Sequence, residues 1–314
     1  MNIVFITDEN YLVPTGTALA SILTSNPCEN IRFYVVAKKL SEANVVFLNS
    51  CLSAQKKNAD VSLNFIYLED EDTSDFPIRK GDHVSIATYY RIFFQKLFPE
   101  SEDKILFVDG DILCIDSIKS FYETDLTGYS CAVSHDERND DPAVFARLKY
   151  PSCNGYFNAG VMLINLSWWR ENDVMQKCVD YIRNHPDACV WHDQDALNHV
   201  LNGTVLWTSF RNNFTQGFFF DKSYLFIDKA FYREIDEAKR NPCILHYSSA
   251  YKPWHYECNH PLKEKYRQFY QDCMGKSLEL TYKLQGFNSI KWKIKRFLDR
   301  FNIIHYEDFR KSTI

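Results

Sequence analysis

No C-x-x-C pair occurs among the ten cysteines of this 314-residue chain, which are scattered from Cys28 to Cys273, several inside apolar runs. A thiol in such a run packs as a small hydrophobe. The scatter excludes a zinc ribbon and argues for a reduced, cytosolic protein over a disulfide framework. No apolar run approaches the ~20 residues that a spanning helix needs. Asp8 and Glu9 interrupt the first strand-like segment, so an ordinary secretion signal is not expected. Nor is there a basic excess. A net charge of -5 lacks the footprint of a nucleic-acid binder, and no such partner is expected. Internal repeats and low-complexity linkers are missing too. What remains, 46% hydrophobic and 25% charged residues, is the composition of a globular protein able to bury a substantial core. Aromatics, at 16%, supply that core and offer platforms for substrate rings.

The first half alternates short apolar runs with helical patterns. Strands are expected at Ile3–Ile6, Ile31–Ala37, Leu63–Leu68 and around Ile105, with helices at Pro14–Ser25, Ser41 to about Asn58 (Ser41 as N-cap) and Ser85–Leu97. This β-α-β rhythm implies a parallel-rich sheet covered on both faces, with ligands at the carboxyl ends of its strands. Further strands are expected around Cys131–Val133 and at Gly160–Leu166. Helices follow from Ser167 to about His185 and from Asp193 to Leu201, the latter ended by Gly203.

Between two apolar runs, Lys104–Val108 and Ile112–Ile115, stands Asp109-Gly110-Asp111. Carboxylates two residues apart on an extended segment share a side and offer two hard oxygen donors to a divalent cation. Gly110 would let a ligand approach the backbone closely. A solvated strand end is the plain alternative. Four other segments bear on this pair. Thr7-Asp8-Glu9-Asn10-Tyr11 closes the first strand, where polar groups could hold a ribose and base and Tyr11 could stack; an ordinary turn has the same composition. Ser85-Ile-Ala-Thr-Tyr-Tyr-Arg91 puts a guanidinium on a helix just before the Asp109 strand. Tyr156-Phe-Asn158-Ala-Gly-Val161 precedes His192-Asp193-Gln194-Asp195, whose acids also suit a helix N-terminus. The last segment is His246-Tyr-Ser-Ser-Ala-Tyr-Lys252-Pro-Trp254.

In this order the five segments resemble glycosyltransferase family 8, retaining nucleotide-sugar enzymes of the GT-A fold. The resemblance runs from Asn2 to about His255, and within the family it is strongest to bacterial galactosyl- and glucosyltransferases that extend lipopolysaccharide or lipooligosaccharide. It implies an α/β fold with a mixed, mostly parallel Rossmann-like sheet flanked by helices. By the same resemblance Asp109, Asp111 and His246 hold Mn²⁺, with Mg²⁺ as the alternative; carboxylate, phosphate and imidazole donors suit such an ion. Lys252 sits on the diphosphate, with Thr7 and Gly110 also on the nucleotide side. Asp8, Asn10 and Tyr11 recognise uridine, while Arg91, Asp136, Asn158, Asp193 and Gln194 surround the donor sugar. Asp195 is left to the helix N-terminus. One departure is Ser249, where the family usually has glycine; a positive φ there would strain a serine.

The implied activity moves galactose or glucose from UDP-galactose or UDP-glucose to a saccharide or glycolipid acceptor. No carboxylate nucleophile is evident, which favours front-face attack. A metal-dependent phosphohydrolase is a weaker reading, because its Asp-x-Asp would follow the first strand. A glycogenin-like self-glucosylating initiator and a non-catalytic UDP-sugar binder at the membrane are the remaining alternatives.

The catalytic domain is expected over 1–276 and a basic amphipathic tail over 277–314. Ile290, Ile294, Phe297, Leu298 and Phe301 recur on one helical face, with Lys291, Lys293, Lys295, Arg296 and Arg300 around them and Trp292 on the flank. Such a helix suits either anionic headgroups on the cytoplasmic face of the inner membrane or docking on the domain.

Overall fold

The structure, a computed structural model, describes residues 1–53, 60–68, 73–78 and 85–301. Strands β1 (Asn2–Ile6), β2 (Ile31–Ala37), β3 (Val61–Tyr67) and β4 (Lys104–Val108) are followed by β5 (Ile112–Cys114), β6 (Cys131–His135) and β7 (Phe157–Asn165). Three short strands complete the set: β8 (Val205–Trp207), β9 (Phe214–Thr215) and β10 (Ile244–His246). Seven of them form one sheet in the order β3-β2-β1-β4-β7-β6-β8, and β5-β10-β9 form a smaller one. In the large sheet β1, β2, β3 and β4 run parallel, β7 is antiparallel to both β4 and β6, and β8 is parallel to β6. The sheet is mixed and mostly parallel, as expected.

Its strands read as continuous apolar runs because both faces are covered. Along β4, Ile105 and Phe107 pack with Phe94, Trp169 and Ile164 on one face. Leu106 and Val108 pack with Phe5, Leu19 and Ile22 on the other.

Three expectations change. The Ser85–Leu97 segment is mainly a 3₁₀ helix, Ile86–Phe93, with only Phe94–Leu97 in α form. The helix expected from Ser167 to His185 is two, Leu166–Glu171 and Val174–Asn184, parted at Asp173, whose φ of 49° cannot continue a helix. Its N-cap is Asn165, whose side chain accepts the Trp168 N–H at 3.0 Å. Finally, Asp109-Gly110-Asp111 is a turn and not an extended segment, since the chain leaves the large sheet at Val108 and enters the small one at Ile112. Ser41 caps its helix as read, accepting Asn44 N–H at 3.3 Å. That helix is described as Glu42–Ser53, and its expected end near Asn58 lies outside the described residues.

Beyond Met274 the chain is stitched to the domain by residues 281–284. Thr281 exchanges backbone bonds with Trp254 and Tyr256, and Glu257 accepts the N–H groups of Lys283 and Leu284. A helix follows, Gly286–Arg300. No helix among the described residues is long and apolar enough to cross a membrane.

Candidate active site

The two sheets meet at the Asp-Gly-Asp turn, and β10 brings His246 to it through its register with Ile112. Asp109, Asp111 and His246 each present a ligand atom within 4.8 Å of the others. His246 Nε2 lies 3.3 Å from Asp111 Oδ1 and 3.7 Å from Asp109 Oδ2. Its Nδ1 bonds Asn213 Oδ1 at 2.9 Å. Asn213, fully buried, therefore accepts a hydrogen bond from Nδ1–H and leaves Nε2 to the carboxylates, the outer partner a metal-binding histidine needs. Asp111 Oδ1 is buried and receives no hydrogen bond from the protein. An orphaned carboxylate oxygen facing an imidazole nitrogen and a second carboxylate fits a divalent cation.

Gly160 makes this convergence possible. A Cβ there would lie 2.2 Å from His246 Cε1 and 2.6 Å from Asp109 Oδ2. At Gly110 a Cβ would lie 2.8 Å from Thr15 Oγ1 and 3.2 Å from Tyr11 Cδ1. The close approach at Gly110 is thus made by the helix Leu12–Ser25 and the residue before it.

Lys252, almost fully buried, donates to Asp111 Oδ2 at 2.5 Å and to Tyr247 O at 2.9 Å. Burial alone would raise the Asp111 pKa, but the Lys252 charge, with His246 beside it, outweighs it and holds it well below the usual carboxylate range. Asp109 goes the other way: burial raises it, in spite of Arg91.

The 3₁₀ geometry of Ile86–Phe93 now has a reason. At three residues per turn, positions i and i+3 eclipse, so Ser85, Thr88 and Arg91 form one polar stripe. Ser85 Oγ donates to Asp8 Oδ2 at 2.9 Å and Thr88 Oγ1 to Asp193 Oδ1 at 2.5 Å. Arg91 reaches Asp109 Oδ1 at 2.9 Å, Asp193 Oδ2 at 3.0 Å and Ala159 O at 2.6 Å, with its guanidinium over Phe107. One buried cation thus ties the Asp109 turn to Asp193.

From the imidazole a chain of amides and carboxylates runs deeper. Asn213 donates to Asn158 Oδ1 at 2.9 Å, and Asn158 to Asp136 Oδ2 at 3.1 Å. Gln194 Nε2 donates to the same Asp136 oxygen at 3.3 Å, while its Oε1 accepts Ala159 N–H at 3.0 Å. A register shift opens the sheet here: β6 advances from Val133 to His135 while β7 runs from Met162 back to Phe157. Irregularities of this kind re-aim side chains beside active sites. Burial, with the Glu137 charge, pushes the Asp136 carboxyl up to about 7.

The sequence model of glycosyl transferase family 8 matches residues 2–258. The chain belongs to glycosyltransferase family 8. Among similar curated proteins, lipopolysaccharide 1,2-glucosyltransferase of Escherichia coli K12 is 26% identical over 85% of this chain and 76% of its own. Lipopolysaccharide 1,3-galactosyltransferase of Salmonella typhimurium is 26% identical over 85% and 77%. The crystal structure of the galactosyltransferase LgtC with donor and acceptor sugar analogues matches with a TM-score of 0.76 at 27% identity, over 94% of this chain and 100% of that one.

In this family 8 glycosyltransferase the fold brings the sequence-derived residues into two linked groups. Asp109, Asp111, His246 and Lys252 form one, and Tyr11 joins it by donating to Asp111 Oδ2 at 3.3 Å. Burial, with Asp111 and Asp109 nearby, raises the Tyr11 phenol well above its ordinary value. Its ring meets Trp254 edge-on, with centroids 5.7 Å apart. Asp136, Asn158, Asp193 and Gln194 form the second group, with Arg91 between the two. Asp8 closes a turn, its Oδ1 accepting the N–H groups of Asn10 and Tyr11. Asn10 is exposed; Thr7 is buried and accepts from Thr15 Oγ1 at 3.0 Å. Ser249 is not among the residues with positive φ, so its place carries no backbone strain of that kind. Asn213 was not singled out from the sequence, where the second of two asparagines ahead of a two-residue strand gives no periodic or motif signal.

Proposed function

We propose that this glycosyltransferase transfers galactose or glucose from a UDP-sugar, with retention, to a saccharide of the lipopolysaccharide or lipooligosaccharide core. The observation that carries the reading is the Asp109–Asp111–His246 cluster with Lys252 bonded to it, at the carboxyl ends of the neighbouring parallel strands β1 and β4. The similarity to enzymes named for those sugars and acceptors supports it. Asp109, Asp111 and His246 would hold Mn²⁺, or Mg²⁺ in its place, and the ion would supply positive charge to a leaving diphosphate.

The residues themselves do the rest. Thr7, Asp8, Asn10 and Tyr11 hold the uridine, and Gly110 keeps their helix close to the metal turn. The Lys252 ammonium neutralises charge that grows as UDP departs. Asp136, Asn158, Asp193 and Gln194 bind the sugar hydroxyls, and Arg91 fixes Asp193. The amide of Gln194 is a poor nucleophile, so retention comes from front-face attack. The bond from the anomeric carbon to the phosphate oxygen breaks, the acceptor oxygen bonds the same face, and a UDP phosphate oxygen takes the acceptor proton. Accordingly Gln194→Ala should keep much of the turnover; complete loss with unchanged donor binding would refute front-face attack.

The test is UDP release by the purified protein with Mn²⁺, screened over UDP-glucose, UDP-galactose and their N-acetyl forms. Hydrolysis of one donor, abolished by EDTA, is expected. No turnover of any donor, together with no metal-dependent UDP binding in calorimetry, would overturn the reading.

The tail is proposed to hold the enzyme peripherally on the cytoplasmic face of the inner membrane. Phe287, Ile290, Ile294 and Phe297 are 77%, 56%, 54% and 61% exposed, beside exposed Lys291 and Lys293. Among the described residues nothing covers these four side chains, and the face suits an anionic lipid surface. Truncation after Gln285 leaves the 281–284 stitch intact. It should abolish binding to anionic vesicles, and undiminished binding would exclude the membrane role.

A further inference from the structure

Asp195 follows Gln194 and is fully buried. Its Oδ2 accepts from Arg147 Nη1 and from the Trp191 backbone N–H, both at 2.6 Å. Its Oδ1 accepts from Arg147 Nη2 at 3.1 Å and from the Tyr156 hydroxyl at 2.8 Å. Four donors on two oxygens use the whole acceptor capacity of a carboxylate. Asp195 is therefore not available as a covalent nucleophile.

The consequence passes to Tyr156, itself fully buried. A carboxylate paired with a guanidinium only accepts, so the phenol must spend its one proton on Asp195. Its oxygen is then left as an acceptor, and Gln194 Nε2 donates to it at 3.0 Å. The second Nε2 proton goes to Asp136 Oδ2, and Oε1 accepts from Ala159 N–H. Both ends of the amide are thus fixed. The only spare hydrogen-bonding capacity left on Gln194 is the second lone pair of its carbonyl oxygen.

We propose that Tyr156, oriented by the Asp195–Arg147 pair, is a positioning residue that fixes the Gln194 amide so that its carbonyl oxygen faces the sugar being transferred. The inference rests on the proposed role of Gln194 at the donor sugar. Tyr156 and Arg147 touch neither sugar nor metal in this scheme; they act through Gln194.

The experiment uses the full-length enzyme and the substitution Tyr156→Phe, which keeps the ring and removes the hydroxyl. Gln194→Ala keeps much of the turnover, which bounds any loss passed through Gln194, so kcat in Tyr156→Phe should fall about two- to threefold, the lower end of what one neutral hydrogen bond is worth, while the donor KM is unchanged. In the Gln194→Ala background Tyr156→Phe should leave kcat unchanged, because the group it positions is gone. A matching fall in both backgrounds, or a change confined to KM, would overturn the inference. Side-chain amide spectra of ¹⁵N-glutamine-labelled protein give a readout independent of turnover. The Gln194 NH₂ resonance, assigned by its loss in Gln194→Ala, should move in Tyr156→Phe; an unmoved resonance would refute the positioning. A wild-type enzyme that turns over no donor would sink the functional reading, and the spectra would still decide the positioning. Arg147→Lys, which keeps the charge and loses the two-pronged contact, covers the case in which Tyr156→Phe does not fold: it should move the same resonance in the same direction, and no movement would again refute the proposal.

Discussion

Gly160→Ala is a one-methyl change that should separate metal binding from folding. The added Cβ would lie 2.2 Å from His246 Cε1, 3.0 Å from His246 Nδ1 and 2.6 Å from Asp109 Oδ2. Ordinary carbon contacts are about 3.5–4.0 Å, so the ring must retreat by more than about 1 Å. It cannot simply swing aside, because Nδ1 is held by the buried Asn213. Gly160 sits in β7 without a positive φ, so alanine is conformationally acceptable and gains roughly 0.5–1 kcal/mol from lost chain entropy. Overpacking costs about 1–3 kcal/mol. The net penalty of ~0–2.5 kcal/mol leaves a domain of this size folded. A coordination sphere is far less tolerant, since ligand distances must hold within about 0.2 Å. The expectation is a drop of at least about 100-fold in Mn²⁺ affinity, read by calorimetry without nucleotide, with a thermal midpoint only a few degrees lower. Wild-type metal affinity in Gly160→Ala would refute the assignment of His246 and Asp109 to one ion.

The other predictions concern the groups around that cluster. Asn213→Ala frees the His246 Nδ1–H and should weaken Mn²⁺ binding about 10–100-fold; an unchanged titration would show that the asparagine does not orient the ring. Asp111→Asn should abolish metal binding and Mn²⁺-dependent turnover. It should also lower stability in denaturant by about 3–5 kcal/mol, because the buried Lys252 ammonium loses its charged partner; unchanged stability would contradict the ion pair. The Asp111 pKa is depressed, so its contribution is present above about pH 4 and lost as pH falls. Asp136 has the opposite sign. With its folded value raised to about 7 from 3.8, stability is full below about pH 4 and declines toward pH 7, by up to ~1.4 kcal/mol per pH unit. Asp136→Asn should flatten that slope in denaturation curves taken from pH 4 to 8, and an identical slope would refute the burial argument.

Much of the fold was legible because it is written locally. Runs such as Lys104–Val108 and Ile31–Ala37 are apolar throughout since both faces of their strands are covered, and the order of the motifs implied the family that the comparisons then showed. The site was legible as a set of side chains. The donor types of Asp109, Asp111 and His246 already suit a hard divalent cation, and Ser85, Thr88 and Arg91 carry a spacing of three that fits a 3₁₀ helix better than an α-helix.

Tertiary structure decided the partners. Local periodicity fixes which face a side chain takes, but not what another strand places opposite it. That Gly160 must lack a side chain follows from the pairing of β7 with β4 and the meeting of β5 with β10. The break at Asp173 rests on its positive φ, a backbone state that the pattern of side chains does not specify. Asp195 looked like an ordinary helix N-terminal acid, and the helix dipole alone would have satisfied it. Only the packing of Arg147 and Tyr156 against it turned that acid into a fixed point behind Gln194. A side chain's chemistry belongs to the sequence; its hydrogen-bond partners belong to contacts between segments far apart in the chain, which no local pattern encodes.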